Sequence, residues 1–393
     1  MTFQPRFIST TPDIERLLSA NAAVAVGVSG GQDSQACLLA VHEHLNSIGH
    51  TGPRLAVHAD LGRVEWLQSL PKCQEMAEFL GWELLVVRGG NGDMMDRWLT
   101  RWRRNVARYQ SLECVQVILP WSTASLRFCT SEKKTNPISS ALKRRFPNQD
   151  VVNVVGVRRE ESANRAKQPV SKPDSKIVSR GREGATWNAI IDMKRAEVIP
   201  FIESYGLARH EAYTEYGMTR VSCSFCVLAS ARDLMSSTQC EDNHAIYREM
   251  VDLEITSTFS FQSGKWLGDV RPDLLGEEML QGLEDAKRKA EIRQIAEARL
   301  PKHLRYVKGW PVAVPTVAEA ELLAEVRGTV ADALGLEINY RDPHGIIARY
   351  EELMAKAASK GRSRSLDVDD EELPSGLLIP VKQIDPSQHA WPF

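Results

Sequence analysis

The sequence predicts an α/β fold, a doubly wound and mostly parallel sheet followed by a helical C-terminal region. Three observations carry that expectation. Apolar runs at 22–28 (AAVAVGV), 54–60 (RLAVHAD) and 82–88 (WELLVVR) recur with helix-length segments between them, the rhythm of parallel strands joined by crossover helices. A glycine pair, Gly30-Gly31, follows the first run, at the strand end where such sheets bind ligands. From 274 to about 356 the apolar spacing becomes helical.

Taken in order, the three runs are buried strands, a helix is expected at about 131–145, and DVVNVVGV (150–157) adds a further strand. The polar stretch from about 160 to 190 reads as a long loop or flap over the sheet edge. Residues 194–206 form a helix stopped by Gly206, and a Cys-rich segment follows. A charged helix is expected at 277–299. Another is opened by Pro315, Thr316 and Glu319 in capping-box spacing, with Val317, Ala320, Leu323, Val326, Val330 and Leu334 as its docking face. Residues 357–376 turn basic and then acidic, as a linker or loose tail does.

Composition narrows the class. With 393 residues, 43% apolar and 25% charged, the chain can build two or three packed cores, and wholesale disorder is excluded. Lys and Arg number 49 against 51 Asp and Glu, so any site for a polyanion must be a local patch. No apolar stretch approaches the ~18 residues of a spanning helix, and the start lacks a basic-then-apolar signal block, so a cytoplasmic protein without membrane partners is expected. Seven cysteines (37, 73, 114, 129, 223, 226 and 240) are too few and too unevenly spaced for a disulfide framework. The clustered ones point to metal or redox chemistry instead.

The sharpest local signal is Val28-Ser29-Gly30-Gly31-Gln32-Asp33-Ser34. Two glycines let the backbone approach an anion, and the following helix aims its unpaired N–H groups at it. Ser29 and Ser34 add hydroxyl donors. Asp33 makes sense beside a phosphate if a divalent cation bridges the two or if it orients a neighbour. The loop lacks the Lys of a Walker sequence and is not G-x-G-x-x-G. A serine-capped glycine turn is the bland alternative. Cys37 reads as a core residue, and Asp60, with Gly62, as either a ribose or metal contact or a turn former.

The S-G-G-x-D-S pattern resembles the PP-loop ATP pyrophosphatases, which bind ATP or an adenosine sulfonucleotide. Its ATP users cleave between the α and β phosphates, adenylate a substrate oxygen and release pyrophosphate. Arg127-Phe-Cys129-Thr130-Ser-Glu-Lys133-Lys134 with Pro137 resembles the R-x-C-T-x-x-x-K-x-x-P element of the phosphoadenosine phosphosulfate (PAPS) reductase superfamily. Gly156-Val-Arg158-Arg-Glu-Glu161-Ser162 with Arg165 is similar to its G-x-R-x-x-E-S-x-x-R element, and Trp187 through Cys223-x-x-Cys226 to its closing region. The resemblance covers roughly residues 20–235. It implies an adenine nucleotide alpha hydrolase-like fold, with a nucleotide-binding domain over 1–235, a mainly helical region over 236–356 and a tail over 357–393.

That resemblance implies ATP, or an adenosine sulfonucleotide, together with Mg2+, held by Ser29, Gly30, Gly31, Asp33, Ser34, Asp60, Lys133 and Ser162. Asp33, Cys129, Arg158 and Arg165 are the implied catalytic groups. Arg158, Ser162 and Arg165 share one face if a helix begins there; alternatively Glu161 and Arg165 are a surface pair. One of Lys133 and Lys134 is expected to face the site. The chain has no cysteine after Cys240, no Glu-Cys-Gly-Leu-His stretch and no adjacent Cys-Cys pair. These departures favour the ATP-using sulfurtransferase branch, which includes DNA phosphorothioation enzymes, over a sulfonucleotide reductase. A non-catalytic nucleotide-dependent subunit of a nucleic-acid-associated complex is a third reading.

Cys223 and Cys226 have ligand spacing, and Cys129 and Cys240 bring the set to four thiolates, enough for a 4Fe-4S cluster or a tetrahedral zinc. A redox dithiol or plain buried thiols are the alternatives. A sulfur-donor protein is an implied partner. In RWLTRWRRNVARY (97–109), Arg97, Arg101, Arg104 and Arg108 beside Trp98, Trp102 and Tyr109 form either a nucleic-acid track or an ordinary helix packed by its tryptophans.

Overall fold

The computed structural model describes residues 7–306 and 309–359. Its six strands are β1 Ala23–Val28, β2 Arg54–Asp60, β3 Glu83–Arg88, β4 Val151–Val154, β5 Ser171–Pro173 and β6 Gly184–Trp187, in the order β3-β2-β1-β4-β6-β5. All neighbours pair in parallel except β5 with β6. The helices used below are α1 Pro12–Ser19, α2 Gln32–Ser47, α3 Ser69–Phe79, α4 Met94–Gln110, α5 Asn136–Arg145, α6 Arg195–Glu203, α7 Ala231–Ser237, α8 His244–Ser257, α9 Glu277–Ala298, α10 Val317–Leu334 and α11 Pro343–Ser359.

The sheet is covered on both faces, which is why its central strands are continuous apolar runs rather than alternating ones. Val24, Val26 and Val28 of β1 pack with Ile14 of α1, Leu38 of α2 and Val198 of α6. Ala23 and Ala25, one residue out of phase, pack on the opposite face with Ala141 and Leu142 of α5. Val26 lies opposite Ala56 of β2 on one side and Val154 of β4 on the other, so β1 sits mid-sheet and delivers its C-terminal loop to the middle of the sheet's edge.

Several expectations need correction. The polar stretch read as a flap contributes two strands, β5 and β6, to the sheet. Both are too short to show an apolar period, and β5 is a polar, antiparallel edge. The helix expected at 131–145 opens with a wider π turn over Ser131–Thr135 before α5. In α10 the Thr316–Glu319 capping box forms and Gly335 closes the helix in the left-handed conformation, but Val317 is exposed rather than part of the docking face.

The chain divides into two units. The first holds residues up to Arg97, Trp121–Asp252 and Ser260–Gly276; the second holds Trp98–Pro120, Leu253–Phe259 and the chain from Glu277. In the second, the buried Arg327 guanidinium of α10 donates to the carbonyls of Tyr109 (2.7 Å), Tyr340 (3.0 Å) and Asn339 (3.2 Å). Among the described residues no helix is long and apolar enough to cross a membrane.

The packing of α4 answers the question of its arginines. Trp98, Trp102 and Tyr109 are buried. Arg97 pairs with Glu132 (2.6 and 3.1 Å), Arg101 donates to the Leu119 carbonyl (3.1 Å) and Arg108 to that of Glu113 (3.3 Å). Residues 97, 101, 104 and 108 are buried or half-buried, as in an ordinary helix packed by its tryptophans.

Candidate active site

The chain leaves β1 through Ser29 and turns at Gly30, whose φ of +74° favours glycine. A Cβ at Gly30 would also lie 3.0 Å from His210 Cδ2 and 3.2 Å from Ser69 Cα. Gly31 is the residue before α2, and Ser34 folds back: its hydroxyl donates to the Gly31 carbonyl (2.7 Å) and accepts the Ser29 N–H (3.2 Å). Ser34 therefore shapes the loop, while the first turn of α2 presents its amides at the sheet edge.

Asp33 orients a neighbour. Arg158 donates to it from Nε (2.8 Å) and Nη2 (3.3 Å), a two-pronged ion pair whose arginine side chain is only 5% exposed. Arg158 Nη1 has no hydrogen-bond partner and lies 3.6 Å from Glu160. The strand end after β4 reaches the loop because Gly156 allows it: a Cβ there would be 2.9 Å from the Asp33 carbonyl oxygen and 3.1 Å from Cys37 Cβ. Cys37 is buried in the core, and its thiol is pushed far up by that burial.

Ser162 and Arg165 are arranged differently from the single helical face expected of them. Residues 159–161 make a 3-10 turn and Ser162 caps a short helix, Ala163–Ala166, accepting the Arg165 N–H (3.2 Å). Arg165 ion-pairs with Glu161, the surface-pair alternative. It nonetheless stands among cations. Burial first, then Arg220, with Arg127 and Arg158 adding to it, pushes the Arg165 guanidinium below its ordinary value against the opposing pull of Asp33. Arg127, Arg158, Arg165 and Arg220 thus lie within electrostatic reach of one another, with Arg158 bonded to the loop through Asp33.

Asp60 takes the turn-forming role, accepting the Gly62 N–H (2.7 Å) and pairing with Arg88 (2.6 Å). Lys133 is buried and donates to the Gly90 (2.7 Å) and Gly92 (2.9 Å) carbonyls, its charge disfavoured chiefly by burial. Lys134 instead lies within electrostatic reach of Cys223.

Three of the four candidate cysteines converge. Burial pushes the Cys223 thiol up to about 12, with Cys226, Glu65 and Cys129 adding to the effect and Lys134 opposing it. The Cys223–Cys226 turn is held firmly. Ser224 N–H donates to the Val64 carbonyl (2.8 Å), Phe225 is buried against Tyr247, and Gln262 donates to the Val227 (3.0 Å) and Ala229 (2.9 Å) carbonyls. The Leu228 N–H points at Cys226 Sγ (3.5 Å).

Cys240 is not on an exposed loop. It is buried with Trp66, Ala212 and Met218. It lies within electrostatic reach of the Tyr216 hydroxyl and helps to raise its pKa. Among the described residues no three His, Cys, Asp or Glu side chains are placed to hold a single ion. Cys129, Cys223 and Cys226 offer soft sulfur donors of the kind an iron–sulfur cluster takes.

A family model for the phosphoadenosine phosphosulfate reductase domain matches residues 23–229, more than half of the chain. The chain belongs to that family. No curated protein matches it. Among solved structures it is similar to a PAPS reductase from Candida auris in a phosphate complex, at 13% identity and a TM-score of 0.33 over 55% of this chain and 97% of that one. It is also similar to the U34-tRNA thiolase NcsA from Methanococcus maripaludis with its 4Fe-4S cluster, at 15% identity and a TM-score of 0.32 over 68% of this chain and 85% of that one.

In this PAPS reductase-family chain, the matched region contains every site residue named above except Cys240, Tyr247 and Gln262. Two side chains the sequence did not single out stand against the loop. His210 is fully buried; its Nδ1 accepts the Ala212 N–H (3.0 Å) and its Nε2 faces Ser69 Oγ (3.4 Å). Tyr213 accepts the Gln32 N–H (3.2 Å) and the Val221 N–H (3.0 Å) on its hydroxyl. His210 caps the Glu211–Thr214 turn.

Proposed function

We propose that this PAPS reductase-family chain binds ATP at the Ser29–Ser34 loop, adenylates a substrate oxygen with release of pyrophosphate, and supports transfer of sulfur to the activated position. One observation carries the reading: a glycine loop, four arginines and three thiols meet within one unit. In the first step the substrate oxygen bonds to the α-phosphorus and the bond to pyrophosphate breaks. In the second, sulfur from a donor protein displaces AMP, which leaves with the bonding pair.

The chain's own groups supply the charge stabilisation. The first-turn amides of α2, with Arg127, Arg158, Arg165 and Arg220, face the oxygens on which negative charge grows. Asp33 holds Arg158 in place. Each Asp33 oxygen accepts one bond from that arginine and keeps a further lone pair, so Asp33 and the nucleotide phosphates would together hold Mg2+.

Cys129, Cys223 and Cys226 would hold an iron–sulfur cluster, which when bound supplies a soft site for sulfur. Leu228 N–H donates to the Cys226 sulfur and Gln262 clamps the segment after it, so the two would hold that ligand in place. A sulfonucleotide reductase is the second reading, favoured by the placement of Cys129 two residues from Arg127 in the cation cluster.

Exchange of radioactive pyrophosphate into ATP, and pyrophosphate release with ATP, test the first reading. Release of sulfite from PAPS or adenylyl sulfate, without pyrophosphate from ATP, replaces it with the second. Binding of ATP without either turnover leaves a nucleotide-dependent subunit of a nucleic-acid-associated complex.

A further inference from the structure

We infer that Tyr213 is a positioning residue that mechanically couples the nucleotide loop to the Cys223–Cys226 turn, so that an anion seated on the loop tightens the thiol segment. The inference rests on the loop being a nucleotide site, as proposed above. Its starting point is one oxygen atom shared by two backbone amides.

The Tyr213 hydroxyl accepts the N–H of Gln32, the first residue of α2, and the N–H of Val221, two residues before Cys223. A hydroxyl has two lone pairs and one proton. Both lone pairs are used, and its proton has no acceptor among the described residues. The phenol stays protonated, since burial, above all, raises its pKa.

Its surroundings place that proton beside the loop. A Cβ on Gly31 would lie 3.6 Å from the Tyr213 oxygen and 3.5 Å from the Val221 carbonyl oxygen, so the 213–221 segment floors the loop. Asp33 and Arg220 are both within electrostatic reach of the phenol. The ring is fixed from the other side by the turn that begins at His210, whose imidazole packs on Gly30.

A phosphate entering the loop therefore meets a donor already bonded, through its oxygen, to both segments. Donating the proton to the anion makes the oxygen a better acceptor for each amide, as in any hydrogen-bond chain. Tension is passed to Val221 and, through two peptide units, to Cys223. Phenylalanine at 213 keeps the ring and its packing but removes the shared oxygen.

Hydrogen exchange on the full-length protein as purified anaerobically, with and without saturating ATP, reads the coupling directly. In the parent protein ATP is expected to slow exchange in the peptide over 29–36 and, together with it, in the peptide over 219–226. In Tyr213→Phe, nucleotide affinity falls about tenfold, near 1.4 kcal/mol, and at saturating ATP only the 29–36 peptide slows. Parent protein that binds ATP but protects 29–36 alone overturns the inference, and so does a Tyr213→Phe protein that still protects both peptides. If that variant is unfolded by circular dichroism, the parent comparison still decides. No retention of ATP by the parent protein refutes the functional reading instead, and is scored separately by equilibrium dialysis.

Discussion

Removing the Asp33 carboxylate strands a guanidinium. In Asp33→Ala, Arg158, with a side chain 5% exposed, keeps only Glu160 at 3.6 Å, and its Nη1 remains without a hydrogen bond. Breaking a buried ion pair on one side costs about 3–5 kcal/mol; Asp33 is itself 24% exposed, which places the cost near the lower end, about 3 kcal/mol. In a unit of this size each kcal/mol shifts Tm by about 2–4 °C, so a fall of roughly 6–12 °C is expected by calorimetry in metal-free, nucleotide-free buffer. Asp33→Ala with Arg158→Met should recover much of that loss, because no buried charge then remains. A single variant melting within about 1 °C of the parent under those conditions, yet losing ATP affinity, would refute the reasoning. It would leave Asp33 the role of cation ligand alone.

Gly156→Ala should cost about 1–3 kcal/mol through overpacking, since its Cβ would press on the Asp33 carbonyl and Cys37; calorimetry reads it, and no change in Tm would show that the strand end can retreat. Burial, with Lys72 adding to it, holds His210 at about 4 in the folded chain, below its ordinary value of 6.5. The unfolded chain therefore takes up a proton first, so stability is full above pH 6.5 and declines toward pH 4 by up to about 3 kcal/mol. Urea titrations across that window should show the decline, and His210→Gln should flatten it. Cys226→Ser should abolish the iron and the brown absorbance of an anaerobic preparation, whereas Cys240→Ser should keep both, as expected of a thiol packed with Trp66 and Met218. Iron lost from the Cys240 variant would restore that residue to the ligand set.

Much of the fold could be read from the chain because its central strands are buried on both faces, and burial leaves unbroken apolar runs. The runs at 22–28, 54–60 and 82–88 became β1, β2 and β3 with boundaries shifted by at most a residue. β5 and β6 escaped because strands of three and four residues take their stability from pairing, not from their own composition. The site divides in the same way. Ser29–Ser34 was legible as a local backbone device, since glycines and a following helix carry the geometry themselves. Tyr213 and His210 were not, because each acts on a loop some 180 residues earlier in the chain. Cys240 misled for the converse reason: Gln239, Glu241 and Asp242 are polar neighbours, but the residue between them turns inward to the Trp66 cluster.

The first unit is assembled from three separated stretches of chain, the last being Ser260–Gly276. Gln262, which pins the turn between the paired cysteines, therefore leaves the ribosome some forty residues after the turn it pins, and Tyr247, which backs Phe225, about twenty after its partner. During synthesis the sheet and its glycine loop can close first, while Cys223 and Cys226 wait, unpinned and open to oxidants, for sequence still to come. A fragment cut at 235 would freeze the molecule in that intermediate, and its thiols would be expected to oxidise where those of the whole chain do not.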